Sequence, residues 1–220
     1  MEDNERVVYI VDDDASVRES LCWLLESESY QTRGFASGLE FLKAYQPDWH
    51  GCIALDMRMP GMSGLELQEQ LLQRGNRLPI IIITGHADVP MAIRAMKAGA
   101  SDFIEKPYSD ELVLESIQRA MDLADRERQV QDERDTFQRR FQALSNRERE
   151  VLACVVEGLS NKAIADELGV ALKTVETHRS RIMIKMKVKS LSDLVRAALF
   201  AGNFVSNDIK KRPGQQGSTG

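Results

Sequence analysis

The first half of the chain alternates short apolar segments with amphipathic ones, and this alternation constrains the fold more than any other feature of the sequence. Apolar segments that favour buried strands lie at 7–11, 52–56, 79–84 and 102–106, with a weaker one at 31–35. Helical spacing of apolar residues predicts helices at 15–28, 37–45, 65–72 and 89–98. Strands that alternate with helices form a parallel sheet covered on both faces. We therefore expect an α/β fold with five parallel strands, doubly wound in the order 2-1-3-4-5.

Polar residues follow the strands at the carboxyl edge of this predicted sheet, at Asp12, Asp13, Asp56, Thr84 and Lys106. In open α/β sheets this edge holds ligand sites, and the switch point of the predicted order lies between strands one and three, which end in the acids. The acids would repel one another in a partly desolvated cleft, and a divalent cation such as Mg²⁺ or Mn²⁺ would relieve the repulsion. With Lys106 as a cation and Thr84 as a hydroxyl donor, the set suits phosphoryl transfer.

Other interpretations of these acids remain open at this point. An acid at the end of a strand often caps the next helix, which accounts for one of them, with Asp14 as the candidate, but not for all of them together with Lys106. A phosphotransferase or phosphatase that uses an aspartyl-phosphate is a second functional hypothesis. It is disfavoured because Arg58 stands two residues after Asp56, where such an enzyme would place a second catalytic acid.

A long, highly charged segment at 109–143 predicts a single helix with a narrow apolar seam. Leu123, Val130, Phe137 and Leu144 recur every seven residues, with Phe141 beside them. This pattern is typical both of a rigid spacer and of a weak dimerising coiled coil, and so few heptads favour neither.

Four shorter helices follow, and their sequence predicts a helix-turn-helix. Ser145 and Glu148 form a capping box for the first, Ser160 caps the second, the third covers 172–186 and the fourth begins at Ser190. The charge supports nucleic acid as a partner, because residues 145–220 hold 13 Lys/Arg and 8 Asp/Glu whereas residues 1–144 hold 16 and 26. The sequence therefore predicts an all-α, four-helix domain that binds double-stranded DNA.

The third of these helices carries the candidate DNA contacts. Glu176, Thr177 and Ser180 share a face near its N-terminal half, which suits the reading of bases. The residues better suited to phosphates are Lys173, Thr174, Arg179, Arg181 and Lys185, with His178 also at the flank. The alternative is a solvated basic face on a helix that binds another protein.

The composition of the sequence indicates in which cellular compartment the protein acts. No apolar run reaches the roughly 18 residues that span a membrane, and the charged N-terminus lacks the apolar stretch of a signal peptide. The three cysteines are scattered, which fits reduced thiols better than disulfides. We expect a cytoplasmic protein with no membrane partner.

Two parts of the chain resemble known families. Residues 7–125 resemble the receiver domain of response regulators, on the motifs VDDD at 11–14, LDMRMPGMSG at 55–64, ITGH at 83–86, AMKAGA at 95–100 and FIEKP at 103–107. Residues 145–200 resemble the LuxR-type helix-turn-helix domain, and this pairing is that of the NarL/FixJ subfamily of two-component response regulators. The resemblance implies phosphorylation by a sensor histidine kinase, control of transcription at promoter DNA, and a homodimer formed on phosphorylation.

The resemblance also implies roles for the acids at the sheet edge. Asp56 would be the phosphoacceptor. Asp13, Asp56 and the backbone carbonyl of Arg58 would ligate Mg²⁺ directly, and Asp12 would act on the metal through water.

The remaining matched residues would hold the phosphoryl group and form the switch. Lys106 would hold a phosphoryl oxygen beside a cis Lys106–Pro107 bond. Thr84 would move to the phosphoryl group and let Phe103 turn inward, with packing alone driving the switch because Phe103 lacks the hydroxyl of the Tyr that many receivers carry. A plain core aromatic is the alternative for Phe103, and His86 could flank the phosphoryl group or have no role.

From these features we expect a receiver domain at 1–125, a helical linker at 126–143, a LuxR-type domain at 144–204 and a disordered tail at 205–220. Phosphorylation could drive dimerisation through the receiver or could release an occluded DNA-binding helix. A DNA-binding protein with an inactive receiver is a further alternative, against which the complete set of acids, Thr84 and Lys106 argues.

Overall fold

The computed structural model describes residues 6–85 and 88–200, and the predicted disordered tail lies outside them. The chain forms two compact units that divide between Arg128 and Gln129, inside the segment expected to be a linker. Within the described residues, no helix combines the length and the apolar character that crossing a bilayer requires.

The first unit alternates strands and helices as predicted. Its elements are β1 (Val7–Val11), α1 (Ala15–Ser27), β2 (Gln31–Phe35), α2 (Gly38–Ala44), β3 (Gly51–Leu55), α3 (Gly64–Gln73), β4 (Ile80–Thr84), α4 (Val89–Lys97) and β5 (Asp102–Glu105), followed by α5 (Asp110–Gln142), which ends in the second unit. The sheet is entirely parallel in the order β2-β1-β3-β4-β5, which confirms the predicted topology.

Each face of this sheet has its own apolar core, because successive side chains of a strand point to opposite faces. In β1, Tyr9 and Val11 belong to one core, while Val8 and Ile10 belong to the other. Every residue of β3 and β4 is buried. Burial on both faces explains why these central strands are continuous apolar runs rather than alternating ones.

The register of the strands brings the polar edge together. Val11, the last residue of β1, pairs with Leu55, the last residue of β3, so the acids that follow the two strands lie side by side. Thr84 ends β4 and pairs with Glu105 at the end of β5. The next residue along the chain is Lys106, which therefore lies at the same edge.

The second unit is helical and consists of the end of α5 with α6 (Asn146–Val156), α7 (Asn161–Leu168), α8 (Leu172–Met186) and α9 (Leu191–Phe200). Ser145 and Glu148 form the predicted capping box of α6. Val151, Leu152 and Val175 are among the fully buried residues of its core. This unit has the four predicted helices. Its apolar core also includes residues from outside these four helices, which the sequence did not indicate.

This contribution to the core comes from the apolar seam that runs along α5 and ends at Leu144, two residues beyond the helix. Phe137, Phe141 and Leu144 are 3–6% exposed and belong to the core of the second unit. Leu123, at the start of the seam, is 40% exposed. The end of the seam is therefore covered by the helices of its own unit rather than by a second copy of the chain.

Candidate functional site

The carboxyl ends of β1 and β3 hold two buried acids that share one cation. Asp12 and Asp56 are 6% and 8% exposed. Lys106 Nζ lies 2.7 Å from Asp12 Oδ2 and 3.1 Å from Asp56 Oδ1. The half-buried ammonium group of Lys106 offsets the repulsion between the two carboxylates, as expected for like charges in a partly desolvated site.

The backbone around Asp56 fixes the orientation of its carboxylate. The Arg58 N–H donates to Asp56 Oδ2 at 2.7 Å, so both carboxylate oxygens accept a hydrogen bond. Burial raises the pKa of Asp56 above its usual value, and the opposing charge of Lys106 only partly cancels the effect. Gly64 packs against the Asp56 carbonyl so closely that a Cβ at position 64 would lie 2.4 Å from this oxygen, which gives a physical reason for the glycine in the motif.

The balance of effects on Lys106 favours its charged form. Burial lowers the pKa of this lysine. The hydrogen bond and negative charge of Asp12, together with the charge of Asp56, raise the pKa by more than burial lowers it, so the pKa lies above its usual value. Lys106 is therefore a permanent positive charge at neutral pH. The Lys106–Pro107 peptide is cis, as the resemblance implied.

The other two acids of the motif have different surroundings. Asp14 accepts hydrogen bonds from the Ser16 and Val17 backbone and caps α1, so the capping interpretation holds for this acid. Asp13 is exposed to solvent. Asp12, in contrast, combines its bond to Lys106 with one from the Asp14 N–H at 2.9 Å, which holds it at the edge of the sheet.

The donor chemistry of this edge suits a hard divalent cation. Carboxylates of Asp12, Asp13 and Asp56 and the Arg58 carbonyl are oxygen ligands of the kind that Mg²⁺ prefers. In the part of the chain that the structure describes, no three His, Cys, Asp or Glu side chains are already grouped as a metal site. In this structure the Lys106 ammonium, paired with both carboxylates, supplies the positive charge between Asp12 and Asp56.

The predicted switch residues lie on the two strands beside this edge. Thr84 is fully buried at the end of β4. Phe103, in β5, pairs with Ile82 and is half-buried against one of the two cores of the first unit. His86 lies outside the described residues.

The predicted helix-turn-helix consists of α7 and α8. Gly169 ends α7 in the left-handed conformation, with φ of 64°, which allows the sharp turn into α8. Val175, Ile182 and Met186 anchor α8 in the core. On the outer side of α8, the exposed residues among the predicted contacts are Lys173, Thr174, Thr177, Ser180, Arg181 and Lys185.

Several predicted DNA contacts already have partners within the second unit. Arg179 donates to Asn161 Oδ1 at 2.6 Å, and it is half-buried. Lys185 forms an ion pair of 2.7 Å with Glu148, which is 3% exposed. These two cations connect α8 to α7 and α6, which the sequence could not indicate because the partners are distant in the chain.

Three further predicted contacts, Lys173, Glu176 and His178, differ in their exposure and in their present partners. Lys173 and Glu176 pair with each other at 3.1 Å on the surface of α8. His178 is half-buried, and its Nδ1 is a buried atom without a hydrogen-bond partner among the described residues.

Sequence reasoning missed an exposed apolar residue near the C-terminal end of α8. Ile184 is 75% exposed. The signal that could have found it is its spacing, because position 184 follows Thr177 by seven residues and therefore shares its face of the helix.

Family comparisons cover both parts of the chain. Residues 8–118 match the model of the response regulator receiver domain, and residues 142–198 match that of the bacterial regulatory proteins of the LuxR family. The chain belongs to the response regulators. The motif acids and Lys106 lie in the first match, and α6, α7 and α8 lie in the second.

Several relatives match this chain over nearly its whole length. The transcriptional regulatory protein FixJ of Azorhizobium caulinodans is 45% identical to this response regulator over 91% of this chain and 95% of the relative. FixJ of Rhizobium meliloti is 49% identical over 90% and 96%. Among solved structures, the response regulator StyR is 45% identical, with a TM-score of 0.80 over 89% of this chain and 98% of StyR.

Proposed function

We propose that this response regulator accepts a phosphoryl group on Asp56 from a sensor histidine kinase and, in the phosphorylated form, controls transcription by binding promoter DNA through α8. The observation that carries the proposal is the arrangement of Asp12, Asp56 and Lys106 at one edge of the sheet. Since its DNA target lies in the bacterial cytoplasm, the protein acts there. Its chemistry is limited to gaining and losing its own phosphoryl group.

In the proposed reaction an Asp56 carboxylate oxygen attacks the phosphorus of a phosphohistidine. The new O–P bond forms on Asp56 as the N–P bond of the kinase breaks, and the histidine nitrogen keeps the electron pair. Lys106 lies within hydrogen-bond distance of Asp56 and would hold a phosphoryl oxygen. The arriving group must displace Lys106 from at least part of its present contact with the carboxylates.

We assign the Mg²⁺ ligands to Asp13, Asp56 and the Arg58 carbonyl, with Asp12 acting through water. When bound, the metal supplies positive charge that stabilises the transferring phosphoryl oxygens. The exposed carboxylate of Asp13 is available for this role, and Asp12 and Asp56 are held beside it by the ends of β1 and β3.

The proposed switch leads from Thr84 and Phe103 to the surface of α4. A phosphoryl group that draws the Thr84 hydroxyl inward changes the space beside Phe103, which packs against the same core as Met91 of α4. Val89 and Ile93 of α4 are 73% and 48% exposed and offer apolar surface for a symmetric contact. We favour a phosphorylation-promoted homodimer that places two α8 helices on half-sites about one helical turn apart.

The domain limits follow as part of this proposal. The receiver covers 1–125, and the DNA-binding domain covers 144–204. The helix segment 126–143 joins them, although Phe137 and Phe141 within it already pack with the second unit.

Labelling by acetyl phosphate and Mg²⁺ tests the proposal directly. Asp56→Asn keeps the size of the side chain but removes the anionic nucleophile, so it should not label, whereas the wild type and the control Asp48→Asn, at an exposed position, should label equally. Phosphorylated wild type should also dimerise in sedimentation and bind DNA more tightly than Asp56→Asn. Equal labelling of Asp56→Asn would refute the assignment, and a phosphorylated monomer that binds DNA fully would favour release over dimerisation.

A further inference from the structure

We infer that α8 reads thymine in the major groove through methyl groups, using Ile184 and the methyl group of Thr177. The inference rests on the proposed function, because it assumes that α8 is the helix that enters the DNA. It adds Ile184 to the candidate contacts and names the base chemistry that this face of the helix selects.

Ile184 occupies the face of α8 that points away from its own core. The buried residues of α8 are Val175, Ile182 and Met186, so the helix is already anchored without Ile184. The side chain of Ile184 is 75% exposed and follows Thr177 by two helical turns, about 10 Å along the axis. A large apolar side chain there gains free energy only when a partner removes it from water.

The polar groups at the N-terminal half of α8 are engaged in a way that favours methyl contacts. The Thr177 hydroxyl donates to the Lys173 carbonyl at 2.9 Å, so its hydrogen is used within the helix. Glu176 is paired with Lys173, which reduces its capacity to accept from a cytosine amino group. The side chains of Thr177 and Ile184 therefore present apolar groups at two points on the outer face.

Thymine has the complementary chemistry. In the major groove it is the base that displays a methyl group, and small apolar side chains and the methyl of Thr are its usual contacts. Ser180 lies between Thr177 and Ile184 on the same face and is exposed, so it can add a hydrogen bond to a neighbouring base edge. We therefore expect each half-site to contain two thymines that are recognised through their methyl groups.

Uracil substitution isolates this contact, because deoxyuridine pairs like thymidine but lacks the 5-methyl group. The full-length protein, phosphorylated with acetyl phosphate, first selects its preferred duplex from a random library. Each thymine of one half-site is then replaced singly by deoxyuridine, and affinities are measured for the wild type and for Ile184→Ala. Loss of one buried methyl corresponds to about a fourfold weaker Kd.

The wild type should lose about fourfold at two thymines of the half-site. Ile184→Ala should bind thymine and uracil equally at one of them. At the other, Thr177→Ser, which lacks the methyl, should lose the preference, whereas Thr177→Val, which keeps a methyl, should retain it. The control Leu72→Ala removes a side chain that is 65% exposed in the first unit, and it should keep the wild-type pattern.

The outcomes separate the two proposals. If the phosphorylated protein selects no DNA sequence, the proposed function fails and this inference falls with it. If it selects a sequence but the uracil penalties of Ile184→Ala equal those of the wild type at every position, only the inference is overturned, and Ile184 then serves a contact outside the base edges.

Discussion

Removing the charge of Lys185 should destabilise the second compact unit, although the sequence alone predicts a phosphate contact for this residue. Its partner Glu148 has a side chain that is 4% exposed, against 40% for Lys185. Burial raises the pKa of Glu148, but hydrogen bonds from Lys185 and the Ser145 backbone lower it more, to about 2 from the usual 4.5. This pKa shift corresponds to a contribution of at most about 3 kcal/mol to the free energy of unfolding. Because solvent reaches Lys185, we expect about 1–2 kcal/mol of this contribution to depend on the lysine.

Hydrogen exchange of the full-length protein measures the effect. Lys185→Met keeps the length of the side chain, and at pH 7 the slowest amides of α6 and α8 should exchange about 5- to 30-fold faster than in the wild type. Lys189→Met is the matched control, because Lys189 is exposed on the segment that follows α8, and it should leave exchange unchanged. Equal exchange in the two variants would refute the argument that Glu148 needs Lys185.

The pH dependence has a defined sign. Since folding lowers the pKa of Glu148, its contribution to stability is present above pH 4.5 and is lost as the pH falls toward about 2. The exchange difference between the wild type and Lys185→Met should therefore shrink over this range.

The salt dependence of DNA binding gives a separate check, because Lys185→Met should leave the slope of log Kd against log salt unchanged, whereas Arg181→Ala should reduce this slope by about one.

Two further predictions concern the proposed metal site of the first unit and the apolar core of the second unit. Asp13→Asn should weaken Mg²⁺ binding, measured by titration calorimetry, by about tenfold or more through loss of a charged ligand, whereas Asp48→Asn should not; equal affinities would exclude Asp13 as a ligand. Phe137→Ala should lower the free energy of unfolding of the second unit by about 3–5 kcal/mol, followed by circular dichroism at 222 nm, because Phe137 is 6% exposed in its core. A variant of normal stability that merely loses dimerisation would restore the coiled-coil interpretation.

The sheet and its polar edge could be predicted because the signals are local and repeated. Each strand is a run of apolar residues, and a parallel sheet places every strand end at one edge, so Asp12, Asp56 and Lys106 had to converge once the order was right. The position of the Lys106 ammonium between the two acids could not be predicted in the same way. It depends on side-chain conformations and on burial, which the pattern of residue types does not contain.

The seam of α5 shows a different limit of sequence patterns. A seven-residue repeat reports that one stripe of a helix is apolar, but it does not say which surface covers the stripe. Phe137, Phe141 and Leu144 fit a second copy of the chain and the helices of their own unit equally well. The structure favours the latter because burial of all three to 3–6% exposure occurs within one chain.

The cations of α8 show why charge alone does not identify phosphate contacts. The charge of Lys185 is already offset by Glu148, so a phosphate gains less from it than from an unpaired cation, and breaking the pair would leave a buried carboxylate without its partner. Arg179 is half-buried and donates one hydrogen bond to the neutral amide oxygen of Asn161, which orients the guanidinium without offsetting its charge. Arg181 is exposed on the outer side of α8, so its full charge is available to DNA. The salt slope of binding should therefore follow Arg181 rather than the number of cations on the helix.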